Sequence, residues 1–339
     1  MEPAQALKQI AMYLERAGEP THKVQAFRRA AVVVAGLAPG ELDQRIAAGS
    51  LTALPGIGKS TAAAITEAAA GDEPSYLAAL RERGVDALAA IEGAGGQALR
   101  AALRGDCHTH SDWSDGGSPI REMAEAAIQL GHEWMVLTDH SPRLTVANGL
   151  SAARLRRQLE VVAELNVALA PFRILTGIEV DILGDGSLDQ EPELLSQLDI
   201  VVASVHSALR MPADEMTARM LAAIDNPNMD ILGHCTGRRV RGRPRPESTF
   251  DAEAVFTACR DNGVAVEINC RPDRLDPPRR LLRQAVELGC IFAIDSDAHA
   301  PGQLYWQPYG CARAEECGVS ADRVINTHSM DQVLAWARA

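Results

Sequence analysis

Lysine is almost missing from this 339-residue chain: only Lys8, Lys23 and Lys59 occur, and every other fixed cation is an arginine. No apolar stretch approaches the roughly 20 residues that a membrane-spanning helix needs; runs such as 30–35 and 200–203 are far too short. The opening MEPAQALKQIAMYLERAGEP carries acids and proline early and has no basic-then-apolar signal layout. Seven cysteines include no CxxC pair and no framework spacing, so the expectation is reduced thiols in a cytoplasm. A GxSxG elbow, a long repeat and a low-complexity linker are absent as well.

What is present describes a globular protein, 47% hydrophobic and 23% charged. Its net charge of −12 argues against broad, nonspecific adhesion to nucleic acid. That charge is uneven. Residues 1–100 hold 10 Lys+Arg against 11 Asp+Glu, which leaves −11 for the remainder. A site built from carboxylates and imidazoles would be offset locally by its metals.

The first hundred residues read as helices only, near 4–17, 22–36, 41–48, 60–70 and 75–83. From Gly105 short apolar strands alternate with longer helices. Strands are predicted near 104–108, 134–138, 173–178, 199–205, 230–233, 264–269 and 291–295, with helices near 118–131, 151–168, 190–197, 213–224, 251–262 and 278–289. Seven such units predict a parallel α/β barrel, closed or nearly so, over 103–339, after a small all-α domain at 1–100.

Histidine positions carry the chemistry. Six of nine histidines (His108, His110, His140, His206, His234 and His299) stand at or just beyond a predicted strand end. In a β/α barrel those ends share one face. His108-x-His110 and Asp297-x-His299 point paired side chains to one side of a strand; Glu179 follows an apolar run and Asp115 lies just after the first strand. Single histidines are ordinary surface or core residues, and His22, His132 and His328 fit that description. Six histidines gathered at five of seven strand ends do not. Imidazole and carboxylate donors without thiolates suit Zn, Fe or Mn. Cys107 and Cys235 flank ligand positions but alternate away from them, into the core.

At GDCHTHSDWSDG, LTDHSP, GIEVDIL, VVASVHS, DILGH and DSDAH the chain resembles the polymerase and histidinol phosphatase (PHP) superfamily. VANGL, DILGHCTGR and INCRPDRLD are most similar to the PHP domain of bacterial family X DNA polymerases. The resemblance implies a distorted seven-stranded (β/α)7 barrel with three divalent metals, Mn²⁺, Zn²⁺ or Fe²⁺, Mn²⁺ being favoured for activity. By motif, His108, His110, Glu179 and Asp297 hold one ion. Glu179 bridges to a second, held by His206 and His234. Asp115, His140 and His299 hold the third. Asp295 departs from that subgroup's pattern and is expected either to face the site or to act as a solvated or capping residue.

Clustered divalent ions suit hydrolysis of a phosphate ester by activated water, and no side chain is assigned as general acid. Five arginines (Arg238, Arg239, Arg241, Arg243 and Arg245) follow the His234 strand. They could fork onto a phosphodiester backbone or simply line a surface loop. Arg271 and Arg274 are weaker candidates of the same kind.

Leu54-Pro-Gly56-Ile-Gly58-Lys59-Ser60 has a helix-hairpin-helix layout, in which glycines expose N–H groups at a helix start to a DNA phosphate. The spacing of a nucleotide P-loop fails, because residue 53 is Ala. A plain helix–helix turn is the alternative. A degraded second copy spans Ile91–Ala98. LERAGEPTHKVQAFRRAA ahead of LPGIGKS also resembles the N-terminal domain of family X polymerases, yet no room remains for a nucleotidyl-transfer domain. Related enzymes carry a lyase lysine where this chain has Ala64, so that activity is not expected.

The expectation is therefore a cytoplasmic, metal-dependent phosphoesterase acting on DNA ends or lesions: a 3′–5′ exonuclease, 3′-phosphatase or abasic-site endonuclease. A small-molecule phosphatase resembling histidinol phosphatase, or a noncatalytic DNA-binding adaptor, are the alternatives.

Overall fold

The computed structural model describes residues 1–92 and 95–338. The chain divides into two compact units, Met1–Gly93 and Ala94–Ala339. Gly93 and Ala94 of the degraded hairpin copy lie outside the described residues.

The first unit is helical: α1 (Pro3–Arg16), α2 (Thr21–Ala35), α3 (Glu41–Ala47), α4 (Lys59–Ala69) and α5 (Ser75–Glu92). In α1 apolar residues return every three or four positions, so Leu7, Ile10 and Leu14 are fully buried on one face. The Glu2 carboxylate accepts from Gln5 N at 2.9 Å and caps the helix. This face joins Phe27, Ala30 and Val34 of α2 and Ile65 of α4 in one core; cutting Leu14 to Ala would cost about 2–5 kcal/mol. The hairpin lies between α3 and α4. Gly56 adopts φ +89°, a conformation that favours glycine. Buried Ile57 pins the turn, while Gly56, Gly58, Lys59 and Ser60 are exposed. Ala64 is buried.

The second unit opens with α6 (Gln97–Ala102), which packs against a later helix of the same unit. Seven parallel strands then follow in sequential order: β1 (Gly105–Thr109), β2 (Trp134–Leu137), β3 (Arg173–Asp181), β4 (Ile200–Ser204), β5 (Ile231–Leu232), β6 (Ala265–Asn269) and β7 (Phe292–Asp295). One helix lies in each crossover: α7 (Ile120–Gln129), α8 (Ala152–Ala168), α9 (Pro192–Leu195), α10 (Ala213–Ile224), α11 (Ala252–Asp261) and α12 (Arg279–Glu287). Helices cover the outer face, so strands such as β1, β4 and β7 are buried at every residue.

Side chains complete the ring where a full ladder does not. Between β1 and β7 one parallel bridge joins Thr109 to Ala298, and His110 N donates to Ala298 O at 2.8 Å. Below it, Cys107 N donates to Asp295 Oδ1 at 2.9 Å and Ser296 N approaches both Asp106 oxygens at 3.3 Å. The Asn326 amide accepts from Ile294 N at 2.7 Å and donates to Asp295 Oδ1 at 2.9 Å. Asp295 is thus a fully buried seam residue rather than a solvated or capping one. Burial, then the nearby Asp106, raises its carboxyl well above the usual range.

The sequence reading assigned no helix after β7. The structure adds a 3₁₀ segment at Pro301–Trp306, α13 (Gln307–Glu316) and α14 (Met330–Ala337). Five consecutive buried residues, Gly310–Ala314, erase any amphipathic pattern in α13. Gly310 lies so close to Cys270 that a Cβ there would come within 2.3 Å of its sulfur. Cys107 and Cys235 are buried and all seven cysteines are free thiols. No helix among the described residues is long and apolar enough to cross a membrane.

Candidate metal centre

Strand alternation and the shared C-terminal mouth bring the nine predicted ligand positions together. β1 supplies His108, and His110 follows it. β3 supplies Glu179. The turns after β2, β4, β5 and β7 supply His140, His206, His234, Asp297 and His299.

Glu179 is the hub and only 1% exposed. Its Oε2 lies 2.9 Å from His140 Nδ1, 3.3 Å from His108 Nε2 and 3.6 Å from His110 Nε2. Its Oε1 lies 3.0 Å from His234 Nε2 and 3.3 Å from His206 Nε2. Asp297 Oδ1 is 3.5 Å from both His110 Nε2 and His299 Nδ1. Asp115 Oδ1 spans His140 Nε2 at 3.5 Å and His299 Nε2 at 3.4 Å. Asp297 holds φ +50°, an uncommon conformation for a non-glycine residue and one that concentrates at functional sites.

Donor atoms fall within 4.8 Å of one another in three sets: His108, His110 and Glu179; His140, Glu179 and His206; and His110, Asp115, His140 and His299. These sets overlap more than the three expected from resemblance. His110 and His140 each lie between two of them, so both rings have donors near two groups.

The electrostatics are those of acids and imidazoles crowded at largely buried positions. Burial opposes charge on Glu179, yet His108, His206 and His140 hold its carboxyl well below the usual value. Burial also opposes charge on Asp297, but Arg271 and His108 lower it strongly. Burial, then His299 and His140, pushes His110 well below the ordinary imidazole value.

The donor set fits divalent cations. Among the described residues no hydrogen bond reaches His108 Nε2, either ring nitrogen of His110, His140 Nδ1 or Glu179 Oε1, all buried. Leaving each such group unsatisfied costs about 1–3 kcal/mol. Ions that accept lone pairs from nitrogen and oxygen would satisfy all of them at once.

A supporting layer escaped the sequence reading. Glu267 Oε1 sits 2.6 Å from His108 Nδ1, and its Oε2 accepts from His234 N at 2.5 Å. Asp181 Oδ1 lies 2.6 Å from His206 Nδ1. Asn269 donates to Asp297 Oδ2 at 3.0 Å. Asp139 accepts from Ser111 N at 2.8 Å and from Gln158 at 2.6 Å, fixing the start of the loop that carries Asp115. The signal was available: Glu267-x-Asn269 and Glu179-x-Asp181 repeat the two-residue spacing of His108-x-His110.

The arginines separate into classes. Arg274 lies at the cavity, with Nε 3.4 Å from Asp297 Oδ2, and Arg271 Nη1 lies 3.6 Å from Asp297 Oδ1. Arg238 does not reach the cavity. It donates to the carbonyls of Arg274 and Leu275 and pairs with Glu247, so its guanidinium is used to brace two loops. Arg239 lies 3.8 Å from Asp273.

A model of the PHP domain matches residues 106–271, and a helix-hairpin-helix domain model matches 1–73. The chain is 39% identical over 236 residues to the DNA polymerase/3′-5′ exonuclease PolX of Bacillus subtilis, covering 70% of this chain and 41% of PolX. The chain thus spans less than half of that relative's length. It is 30% identical to a probable phosphatase of Thermoanaerobacter sp. (strain X514), over 66% of this chain and 89% of that protein. The solved histidinol phosphate phosphatase of Lactococcus lactis aligns at TM-score 0.49 and 18% identity, over 64% of this chain and 95% of that one. Similarity over 89% of the phosphatase, the domain match and the gathered donors agree: the chain belongs to the PHP-domain family of metal-dependent phosphoesterases.

Proposed function

We propose that this chain hydrolyses phosphate esters of DNA, processing 3′ ends as a 3′–5′ exonuclease or 3′-phosphatase, or cutting at abasic sites, in repair. The observation that carries it is the occurrence, in one chain, of a largely buried cluster of nine donor residues and an exposed hairpin of helix-hairpin-helix type. Relatedness to PolX, an exonuclease by name, supports the DNA substrate.

His108, His110, Glu179 and Asp297 would hold one divalent ion, His206 and His234 a second shared with Glu179, and Asp115, His140 and His299 a third, Mn²⁺ being favoured for activity. Bound divalent ions supply Lewis acidity and activate water at neutral pH. The protein's own part is placement. Glu267 and Asp181 fix the orientation of His108 and His206 through the second ring nitrogen. Arg271 and Arg274, beside Asp297, suit the non-bridging oxygens of a phosphate. Gly56, Gly58, Lys59 and Ser60 would dock a DNA phosphate at the start of α4. Seven free thiols fit a reducing cytoplasm.

The test is a panel of 3′-tailed, 3′-phosphate and abasic duplexes with Mn²⁺. Turnover on at least one is expected; none on any sinks the reading. Similarity to a probable phosphatase favours a second reading, hydrolysis of a small phosphomonoester. Fast hydrolysis of histidinol phosphate, indifferent to competing DNA, would establish it instead.

A further inference from the structure

Five residues beyond His234 the chain makes a small projecting hairpin. Arg239 N donates to Arg245 O at 2.9 Å, and Arg245 N returns the bond to Arg239 O at 3.0 Å. Gly242, at φ +74°, turns the tip. The base is clamped: Arg245 Nε donates to Gly237 O at 2.6 Å, and Val240 N donates to Asp273 O at 2.7 Å. Asp273 belongs to the loop after β6 that also carries Arg271 and Arg274.

A continuous line of guanidiniums results. Arg274 and Arg271 flank the ligand position Asp297. Arg271 Nε lies 3.2 Å from Asp273, whose other oxygen lies 3.8 Å from Arg239 Nε. Beyond Arg239 the tip carries Arg241 and Arg243, both exposed, with no ion pair or side-chain hydrogen bond among the described residues. Arg239 lies close enough to be repelled by Arg274 and Arg271, and Arg245 by Arg274 and Arg239.

Two details suit the binding of an anion. Arg274 is nine-tenths buried, yet its Nε and Nη1 make no hydrogen bond, and Arg239 Nε makes none either. Arg274 Nε and Arg239 Nε meet Asp297 and Asp273 only at ion-pair range, 3.4 and 3.8 Å, so their N–H groups stay open to phosphate oxygens, and a string of phosphates would also offset the crowding of like charge. In a chain of net charge −12, this local reversal also steers a polyanion to one face.

We infer that the Arg239–Arg245 hairpin is an arm that tracks a single-stranded phosphodiester backbone leaving the metal centre, with Arg241 and Arg243 engaging phosphates beyond the reacting one. This rests on the DNA reading above and specifies where its strand runs. A single reacting phosphate needs only Arg271 and Arg274; the outer pair has a role only when the substrate is a polymer.

The experiment measures binding rather than turnover, so that its outcome is separable from that of the substrate panel. Anisotropy of a labelled single-stranded oligonucleotide is titrated with the full chain, without added metal, across a salt series. Two lost phosphate contacts at about 0.7 each should make the slope of log K against log salt shallower by about 1.4 in Arg241→Ala/Arg243→Ala. The Arg241→Glu/Arg243→Glu variant should weaken binding further, and the double Lys variant should restore most of the slope. An Ala variant that keeps the wild-type slope, or a wild type that fails to bind at low salt, overturns the arm whatever the panel returns.

Discussion

Glu267 holds His108 from behind: its carboxylate lies 2.6 Å from the Nδ1 of a fully buried imidazole whose Nε2 faces the donor cluster. The other Glu267 oxygen takes the His234 backbone N–H, so one acid orients two ligand positions. Replacement by Gln keeps the shape and removes the charge. Glu267→Gln should weaken metal affinity by about 10–100-fold with the fold intact. Metal analysis of the purified protein with a parallel circular dichroism spectrum checks this.

A second prediction concerns Gly149. A Cβ there would sit 1.8 Å from Ser141 O and 3.3 Å from His140 O, both backbone atoms. Leu150 N already donates to His140 O at 2.7 Å, locking the two segments edge to edge. Gly149→Ala should therefore displace His140, cost about 1–3 kcal/mol and lower metal content. Wild-type behaviour in both a urea melt and metal analysis would refute it.

A third rests on His132, which is 5% exposed. Burial, then the charge of Arg100, pushes its imidazole down to about 4. In the unfolded chain the ring takes a proton near pH 6.5. Unfolding therefore gains a proton between those values, so stability present above about pH 6.5 declines toward about 4 and declines no further below it through this group. At pH 5 the loss relative to pH 8 is about 2 kcal/mol. His132→Gln should show a correspondingly flatter pH dependence in urea melts at the two pH values.

A fourth concerns the hairpin of the first unit. Lys59 is exposed where α4 begins, next to Gly56 and Gly58. Lys59→Ala should weaken duplex DNA binding evenly across sequences and reduce the salt slope by about 1. Unchanged binding would leave the motif as a turn and nothing more.

Much of this molecule was legible beforehand because two periodicities dominate it. Each predicted strand lies within three residues of its observed bounds, and His108 in β1 and His110 just after it, two residues apart, both reach Glu179 Oε2, at 3.3 and 3.6 Å. The histidines were conspicuous for being rare elsewhere. Glu267, Asp181 and Asp139 were not: among 45 acids the two-residue spacing at Glu267 and Asp181 stands out only beside the histidine pairs it repeats, and Asp139 has no such spacing. Arg238 is a related case: sequence locates a guanidinium on a loop, but only packing tells whether it points to solvent or to a neighbouring carbonyl. The α13 segment lacked any periodic stripe, being covered on several sides.

The β1–β7 seam has a consequence for biosynthesis. His108 and His110 emerge from a ribosome nearly two hundred residues before Asp297 and His299, and Asn326 follows later still. A nascent chain can form its N-terminal helices early through local contacts, whereas the catalytic cavity depends on pairings of long sequence separation. Termination after the first unit but before the last strand would thus leave a product without Asp297 and His299, unable to assemble the full donor set.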